Sequence, residues 1–390
     1  MFKKQPHYSI SWHNRIADIN QTEWDELAQP LKTPFLEWEW LHNLEHSGSI
    51  TGQTGWLPNH LIIRRDRALI AAAPLYIKGH SQGEFVFDHQ WADLSHRLGI
   101  QYYPKMLGMT PVTPAEGYRF LIAPGENEDE ITGMMVKEID RFCLQHSISG
   151  CHFLYVDPEW KPVLERQGFF TWLHHSYIWQ NENFNTFDDY LNVFNANQRR
   201  NIKRERKAVA NAGLELKTLT GAEIPAGMFT LMYDFYSDTC DKFGWWGSKY
   251  LTRKFFTQLH HNYSHRVLFV AAYQENNEQP IGMSFCIHKD ERLYGRYWGS
   301  FNYIDCLHFD ACYYSPIEWA IAHNVKMFDP GAGGRHKKRR GFPASPNHSL
   351  HKLYDHRFDH IVRNYVQEVN ELEKQEMENI NHELPFKEIK

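Results

Sequence analysis

At 390 residues the chain is longer than one hydrophobic core usually supports, so two domains are expected. Apolar residues make up 42% and aromatics 15%, with 13 Trp, 20 Tyr and 25 Phe, enough to fill two cores and line clefts. A net charge of -5 excludes a global pull toward nucleic acid or acidic membranes, although basic residues concentrate at 199–207 and 335–340.

The first half opens with a strand at 7–15 and short helices at 21–28 and 36–46. Apolar runs at 59–65 and 68–77 flank Arg65-Asp66 and predict a hairpin. A strand at 84–87 precedes a loop rich in proline, and a helix covers 128–146, where Ile131, Met134, Met135, Ile139 and Phe142 recur at helical spacing. The strand Cys151–Val156 ends at Asp157-Pro158, and an aromatic strand at 169–180 closes this half.

The second half begins with a helix at 195–212, stopped by Gly213. Strands at 214–219, 266–273, 280–288 and 292–300 and helices at 227–240, 249–261 and 315–323 follow. A short strand at 325–328 again ends in Asp-Pro, Asp329-Pro330, and a charged helix spans 359–383. Each half therefore runs through a meander, a helix and a strand ending in Asp-Pro. This order resembles the layout of a GNAT domain, so the expected fold class is α/β (α+β): two GNAT-like domains, 1–185 and 186–390, each a mostly antiparallel twisted sheet flanked by helices. The second includes the basic helix and the C-terminal charged helix. In such domains two central strands splay apart, and the donor's reactive end sits in the gap.

Six cysteines at 143, 151, 240, 286, 306 and 312 show no disulfide spacing, and no stretch approaches about 18 consecutive apolar residues. With no signal peptide visible at the start, the expected location is cytoplasmic, without a membrane span. None of the 24 histidines has zinc-ligand spacing, and no metal is expected.

Four segments carry candidate chemistry. On the helix at 195–212, Arg199, Arg200, Lys203, Arg204, Arg206 and Lys207 form a basic face suited to phosphates or to plain solvation. The segment Asp329-Pro-Gly-Ala-Gly-Gly-Arg-His-Lys-Lys-Arg-Arg-Gly341 places Gly331, Gly333 and Gly334 beside Arg335, His336, Lys337 and Arg340. Free amides and fixed cations there suit an anion or a developing oxyanion. Alternation along 293–299 puts Tyr294, Arg296 and Trp298 on one side and Tyr297 on the other. His308 and Asp310 precede the next helix, where either can take a proton from an amine. Ser315, Pro316 and Glu318 read as a capping box, which gives Glu318 a structural role.

The runs GEFVFD (83–88), YYPK (102–105), QRRNIKRERK (198–207), LYGRYWGS (293–300), LHFDACYY (307–314) and DPGAGGRHKKRRGF (329–342) resemble a bacterial FemAB-like family, from about Pro34 to Phe358. The family is described as peptidoglycan biosynthesis/recognition proteins or GNAT-like N-acyltransferases. The resemblance implies paired GNAT-like domains with a substrate cleft, and transfer of an acyl or aminoacyl group to a primary amine on a peptide or cell-wall precursor. It adds Tyr103 and Lys105 to the substrate-binding set. Two departures stand out. Asp329, Gly333 and Arg335 replace the family's usual Glu, Gln and Glu, and Asp310 stands where Glu is usual.

The acyl donor is expected to be aminoacyl-tRNA or acyl-CoA, with a nucleotide-sugar as a further ligand and no covalently bound cofactor. The usual acetyl-CoA loop would lie between the 292–300 strand and the following helix, yet 300–309 contains no glycine. The rival readings are a binding module for peptidoglycan fragments or RNA, and a conventional acetyl-CoA enzyme. Oligomeric state is not encoded in any of these patterns.

Overall fold

The apolar runs around Arg65-Asp66 form the expected hairpin in the computed structural model, which describes residues 7–244 and 247–387. Strands β3 (His60–Arg65) and β4 (Ala68–Ala73) pair antiparallel, and Asp66 takes the left-handed conformation (φ 57°) that Asp tolerates in tight turns. With β1 (Tyr8–His13) and β7 (Leu121–Ile122) they make a four-stranded sheet in the order β1-β3-β4-β7.

A second, six-stranded sheet runs β2 (Trp56–Pro58), β5 (Tyr76–Lys78), β6 (Lys105–Gly108), β8 (Gly150–Phe153), β16 (Ala344–Leu353), β9 (Phe170–Tyr177). Here β6 and β8 are parallel, and the Glu128–Gln145 helix lies in the crossover between them. That helix is capped by Asn127, which accepts from the Glu130 amide, and it buries Ile131, Met135, Val136, Ile139 and Cys143. Residues 84–87, expected as a strand, are irregular. Gly83 and Phe85 both take positive φ, and Lys105 holds the Glu84 carboxylate, so the segment cannot extend.

A third sheet gathers the second half of the chain in the order β10 (Trp179–Gln180), β15 (Met327–Asp329), β14 (Arg292–Ser300), β13 (Gly282–Lys289), β12 (Val267–Gln274), β11 (Leu214–Thr220). Strands β11 to β14 are the expected antiparallel meander. Helix Ala226–Lys242 lies so close on β14 that a Cβ at Gly299 would sit 2.3 Å from the Phe235 carbonyl oxygen, which only glycine avoids. The crossover to β15 is a continuous helical run, Leu307–Phe309, Asp310–Tyr314 and Ser315–Ala322, whose middle piece is a π-turn. The two halves thus repeat one device, a parallel pair reached through a helix. This is the GNAT-like layout read from the sequence.

By internal contacts the chain divides into two units, but not at 185/186. The first holds the chain up to His174 plus Asn347–Lys374, and the second holds His175–Pro346 plus Gln375–Lys390. The reason lies in β16, which pairs antiparallel with β8 (Leu350 opposite Phe153) and so completes the first unit's sheet. The terminal helix runs from His356 to His382, three residues earlier than its charge pattern suggested, because Asp355 accepts the Phe358 amide at 2.9 Å as an N-cap. No helix among the described residues is long and apolar enough to cross a membrane.

Candidate active site

Parallel pairing between β14 and β15 lasts for three residues, Arg292 to Tyr294 against Met327 to Asp329, and then stops while β14 continues to Ser300. A cavity of about 250 Å³ opens where the strands part. Into it the fold brings Arg296, Tyr297 and Trp298 from β14, His308 and Tyr313 from the helix, and Gly331 to Gly334, His336 and Lys337 from the segment after β15. The aromatic strand and the glycine-rich segment, 30 to 40 residues apart in sequence, therefore share one cavity.

Simple alternation along β14 fails. A β-bulge opposite Phe285/Cys286 makes Arg296 the extra residue, so Tyr297 faces Phe285 and Gly295 faces Cys286. Tyr294 is consequently fully buried and absent from the cavity wall, contrary to its expected substrate-binding role. Tyr297 stacks on Phe285 (5.9 Å, 6°), whereas the Trp298 indole meets the His308 ring at 5.7 Å edge-on. The Arg296 Nε donates to its neighbour's carbonyl, Gly295 O, at 2.9 Å.

Asp329 ends β15 buried, and its Oδ1 accepts the Gly331 amide at 2.8 Å. That amide is thus already used and cannot serve an oxyanion. Burial raises the Asp329 carboxyl, while Arg296, the Gly331 amide and Lys337 act the other way. Gly331 has φ +94°, and a Cβ there would lie 3.0 Å from Gly295 O, so β14 and the loop approach this closely only through glycine. Gly333 and Gly334 also take positive φ and are exposed. Lys337 is buried, and its Nζ donates to Gly331 O at 2.6 Å and Ala332 O at 3.3 Å. Burial lowers its pKa to about 8, with Asp329 opposing and Arg296 adding to the fall.

His308 is half-buried on the cavity wall, and burial lowers its pKa to about 4, helped by His336, Arg340 and Lys337. It is therefore neutral at pH 7. His336 lies 2.8 Å through Nε2 from the Tyr313 hydroxyl, and the rings of His308 and Tyr313 are 5.4 Å apart. Sequence reasoning missed Tyr313 because α-helical spacing aligns residue 308 with 311 and 312. The π-turn aligns i with i+5 instead: the Ser315 amide bonds Asp310 O. Pro316 has no N–H to continue the ladder, and Ala311 O accepts from Ser284 Oγ at 2.6 Å.

Asp310, the other expected base, is not in this cavity. The helix turns its carboxylate to a separate cavity, where it meets Ser315 Oγ (3.1 Å) and Arg206 Nε (3.4 Å). The expected capping box is also absent, because Ser315 lies inside the helical run and Glu318 pairs with Arg206 at 2.7 Å.

Arg340 and Arg335 do not line the cavity either. The Arg340 Nη2 donates to both Glu205 carboxylate oxygens (3.0 and 2.9 Å), Nη1 donates to His336 O at 3.0 Å, and the guanidinium lies 3.4 Å from the centre of the Phe309 ring. It is a buried strut that fixes the 335–340 turn against helix Ala196–Asn211. Truncation by Arg340→Met should leave the Glu205 carboxylate with only the Tyr314 hydroxyl as donor, its charge uncompensated, and cost about 3 kcal/mol in urea denaturation. Adding Glu205→Gln should recover part of that loss. Arg335 is exposed and pairs with Glu376 at 2.5 Å. On the helix, Arg199 donates to Phe194 O, while Arg200, Lys203, Arg204 and Lys207 are exposed.

Tyr103 and Lys105 belong to the first unit. Lys105 is buried between Glu84 (2.8 Å) and Asp88 (2.5 Å), and its Nζ and the Tyr103 hydroxyl both reach Ser81 Oγ. The runs 83–88 and 102–105 meet in this network.

The fold is similar to that of FemX, with a TM-score of 0.56 at 9% identity over 90% of this chain and 100% of that one. It also resembles L-PGS from Bacillus licheniformis (TM-score 0.50, 9% identity, 90% and 97% covered). A conserved protein of unknown function from Bacteroides thetaiotaomicron VPI-5482 is a third likeness (0.51, 12%, 88% and 99%). At these identities the likeness is one of fold. No curated protein matches in sequence. The family model described as peptidoglycan biosynthesis/recognition, FemAB_like, matches residues 15–388, and the chain belongs to that family.

Proposed function

We propose that the chain is an N-acyltransferase that joins an acyl or aminoacyl group to a primary amine, with the reaction in the cavity between β14 and β15. The observation that carries this reading is the meeting, in one 250 Å³ space, of a neutral imidazole (His308), a buried ammonium (Lys337) and the Tyr313–His336 pair. The amine nitrogen attacks the donor carbonyl carbon, and His308 takes the proton that nitrogen loses. The oxyanion of the tetrahedral intermediate faces the Lys337 ammonium. Collapse re-forms the carbonyl, breaks the bond to the leaving oxygen or sulfur, and returns the proton to it.

The donor reading rests on the helix start. Acetyl-CoA enzymes bind pyrophosphate on free amides at a helix N-terminus. Here the Leu307 amide bonds Ile304 O, and the Phe309 and Asp310 amides both bond Cys306 O, with no glycine to bring a ligand close. This favours an aminoacyl ester, such as aminoacyl-tRNA, over acyl-CoA. Membership of the family favours a peptide or cell-wall precursor as acceptor.

The test incubates the full chain with primary-amine acceptors, among them a nucleotide-linked peptidoglycan precursor, and either aminoacyl-tRNA or acetyl-CoA, and seeks the new amide by mass spectrometry. Amide formed from aminoacyl-tRNA and lost in a His308→Gln variant is the expected result. Amide formed from acetyl-CoA would make the chain a conventional acetyltransferase. Ligand binding without any amide would make it a binding module.

A further inference from the structure

Asp310 and part of the basic helix face remain unused by that reaction, and the fold puts them together. A cavity of about 710 Å³ in the second unit is lined by Lys203, Arg206, Lys207, Asp310, Glu318 and Trp319, and shares no residue with the cavity between β14 and β15. Its size is that of small-molecule sites.

Its charges are ordered. Arg206 lies in the middle, 2.7 Å from Glu318, 3.4 Å from Asp310 and over the Phe187 ring at 4.7 Å. Lys203 and Lys207, one helical turn apart, are exposed and have no ion-pair partner among the described residues. Asp310 is 5% exposed, yet it is a wall residue of this cavity. Its Oδ1 already meets Ser315 Oγ and Arg206 Nε, and the carboxylate's remaining lone pairs can take a further donor from a ligand. Trp319 is half-buried, stacks on His323 at 4.2 Å, and offers a flat wall. Exposed Asp188 completes the set of charged lining groups, three cationic and three anionic.

We propose that this cavity is a second ligand site, for a phosphorylated compound of nucleoside-monophosphate size with an exocyclic amine. Lys203 and Lys207 hold the phosphate, Trp319 stacks on the ring, and Asp310 with Glu318 accepts from the amine. The site is independent of the acyl-transfer reading.

Titration calorimetry of the full chain with adenosine and inosine monophosphates tests it, since the second lacks the amine. Adenosine monophosphate should bind about tenfold more tightly than inosine monophosphate, and Asp310→Asn should erase that preference. Paired Lys203→Ala and Lys207→Ala changes should weaken both ligands about tenfold or more, while Arg200→Ala with Arg204→Ala leaves them unchanged. The proposal fails if neither nucleotide binds at millimolar concentration, or if both bind equally to the wild type. It fails too if the Arg200/Arg204 variant weakens binding as much as the lysine variant, which would indicate a diffuse basic face. Binding abolished by His308→Gln would place the nucleotide in the other cavity, and binding of an RNA oligomer without the mononucleotide would make the face a polyanion surface; either result overturns the assignment. The lysine variant, on exposed residues, keeps the test decisive should Asp310→Asn disturb the helix.

Discussion

His308→Gln should lower kcat by about 10³-fold, with the donor and acceptor from the amide-formation screen as substrates. Glutamine keeps the size and one hydrogen-bonding group of imidazole but cannot take a proton. The imidazole is free to accept a proton at neutral pH because burial, with His336, Arg340 and Lys337 adding, holds its pKa at about 4. It therefore arrives at neutral pH without a proton to lose. Negative charge growing on the oxyanion offsets the influence of the Arg340 and Lys337 cations, so its proton affinity rises as the reaction proceeds. The wild-type to variant ratio should stay level above pH 5 and fall as pH drops through about 4.

A readout free of substrate accompanies this. The His308 ring proton should titrate near 4 by NMR, and a midpoint near the ordinary 6.5 would remove the argument. The stability sign follows from the same shift. The unfolded chain binds more protons between 6.5 and 4, so this residue's contribution is full above pH 6.5 and is lost as pH falls toward 4.

The meander β11 to β14 was legible because its strands alternate or run apolar between polar turns, and each buries a face. So was the meeting of the 294–298 and 329–337 segments, since a parallel strand after a crossover helix must lie beside the strand before it. What stayed hidden depends on a single residue of register. The bulge at Arg296 re-aims every side chain beyond it and takes Tyr294 out of the cavity. The π-turn does the same to Asp310 and Tyr313. Neither leaves a mark in hydrophobic spacing.

A different limit applies to charge. Arg340 and Glu205 look like members of two polar surfaces, yet they form a buried pair, because ion pairing is set by tertiary neighbours and not by composition. The placement of β16 in the first unit is equally non-local. Its residues read as an ordinary strand, and only pairing with β8 assigns them.

Lys337→Met should lower kcat by 10² to 10³-fold, roughly the cost of losing one oxyanion donor, with KM little changed. Methionine keeps the length and apolar stem, so the buried stem still packs. The competing account is structural, because Nζ also ties Gly331 O and Ala332 O and so shapes the glycine loop. pH separates the two. With a pKa of about 8, the ammonium loses its charge just above neutrality, so the wild-type to variant ratio should fall as pH rises through about 8. Taking the ratio cancels titration of the acceptor's own amine. A purely structural lysine would give a ratio independent of pH. Stability supplies the second check. Burial disfavours the charged form in the fold, the unfolded chain holds more protons between about 8 and 10.5, and stability should therefore rise with pH across that window. The variant should lack that rise, since it has no proton to release on folding. Loss of the rise together with a pH-dependent rate ratio ties the charge of Lys337 to the reaction; loss of the rise with a flat ratio would leave Lys337 as a loop anchor only.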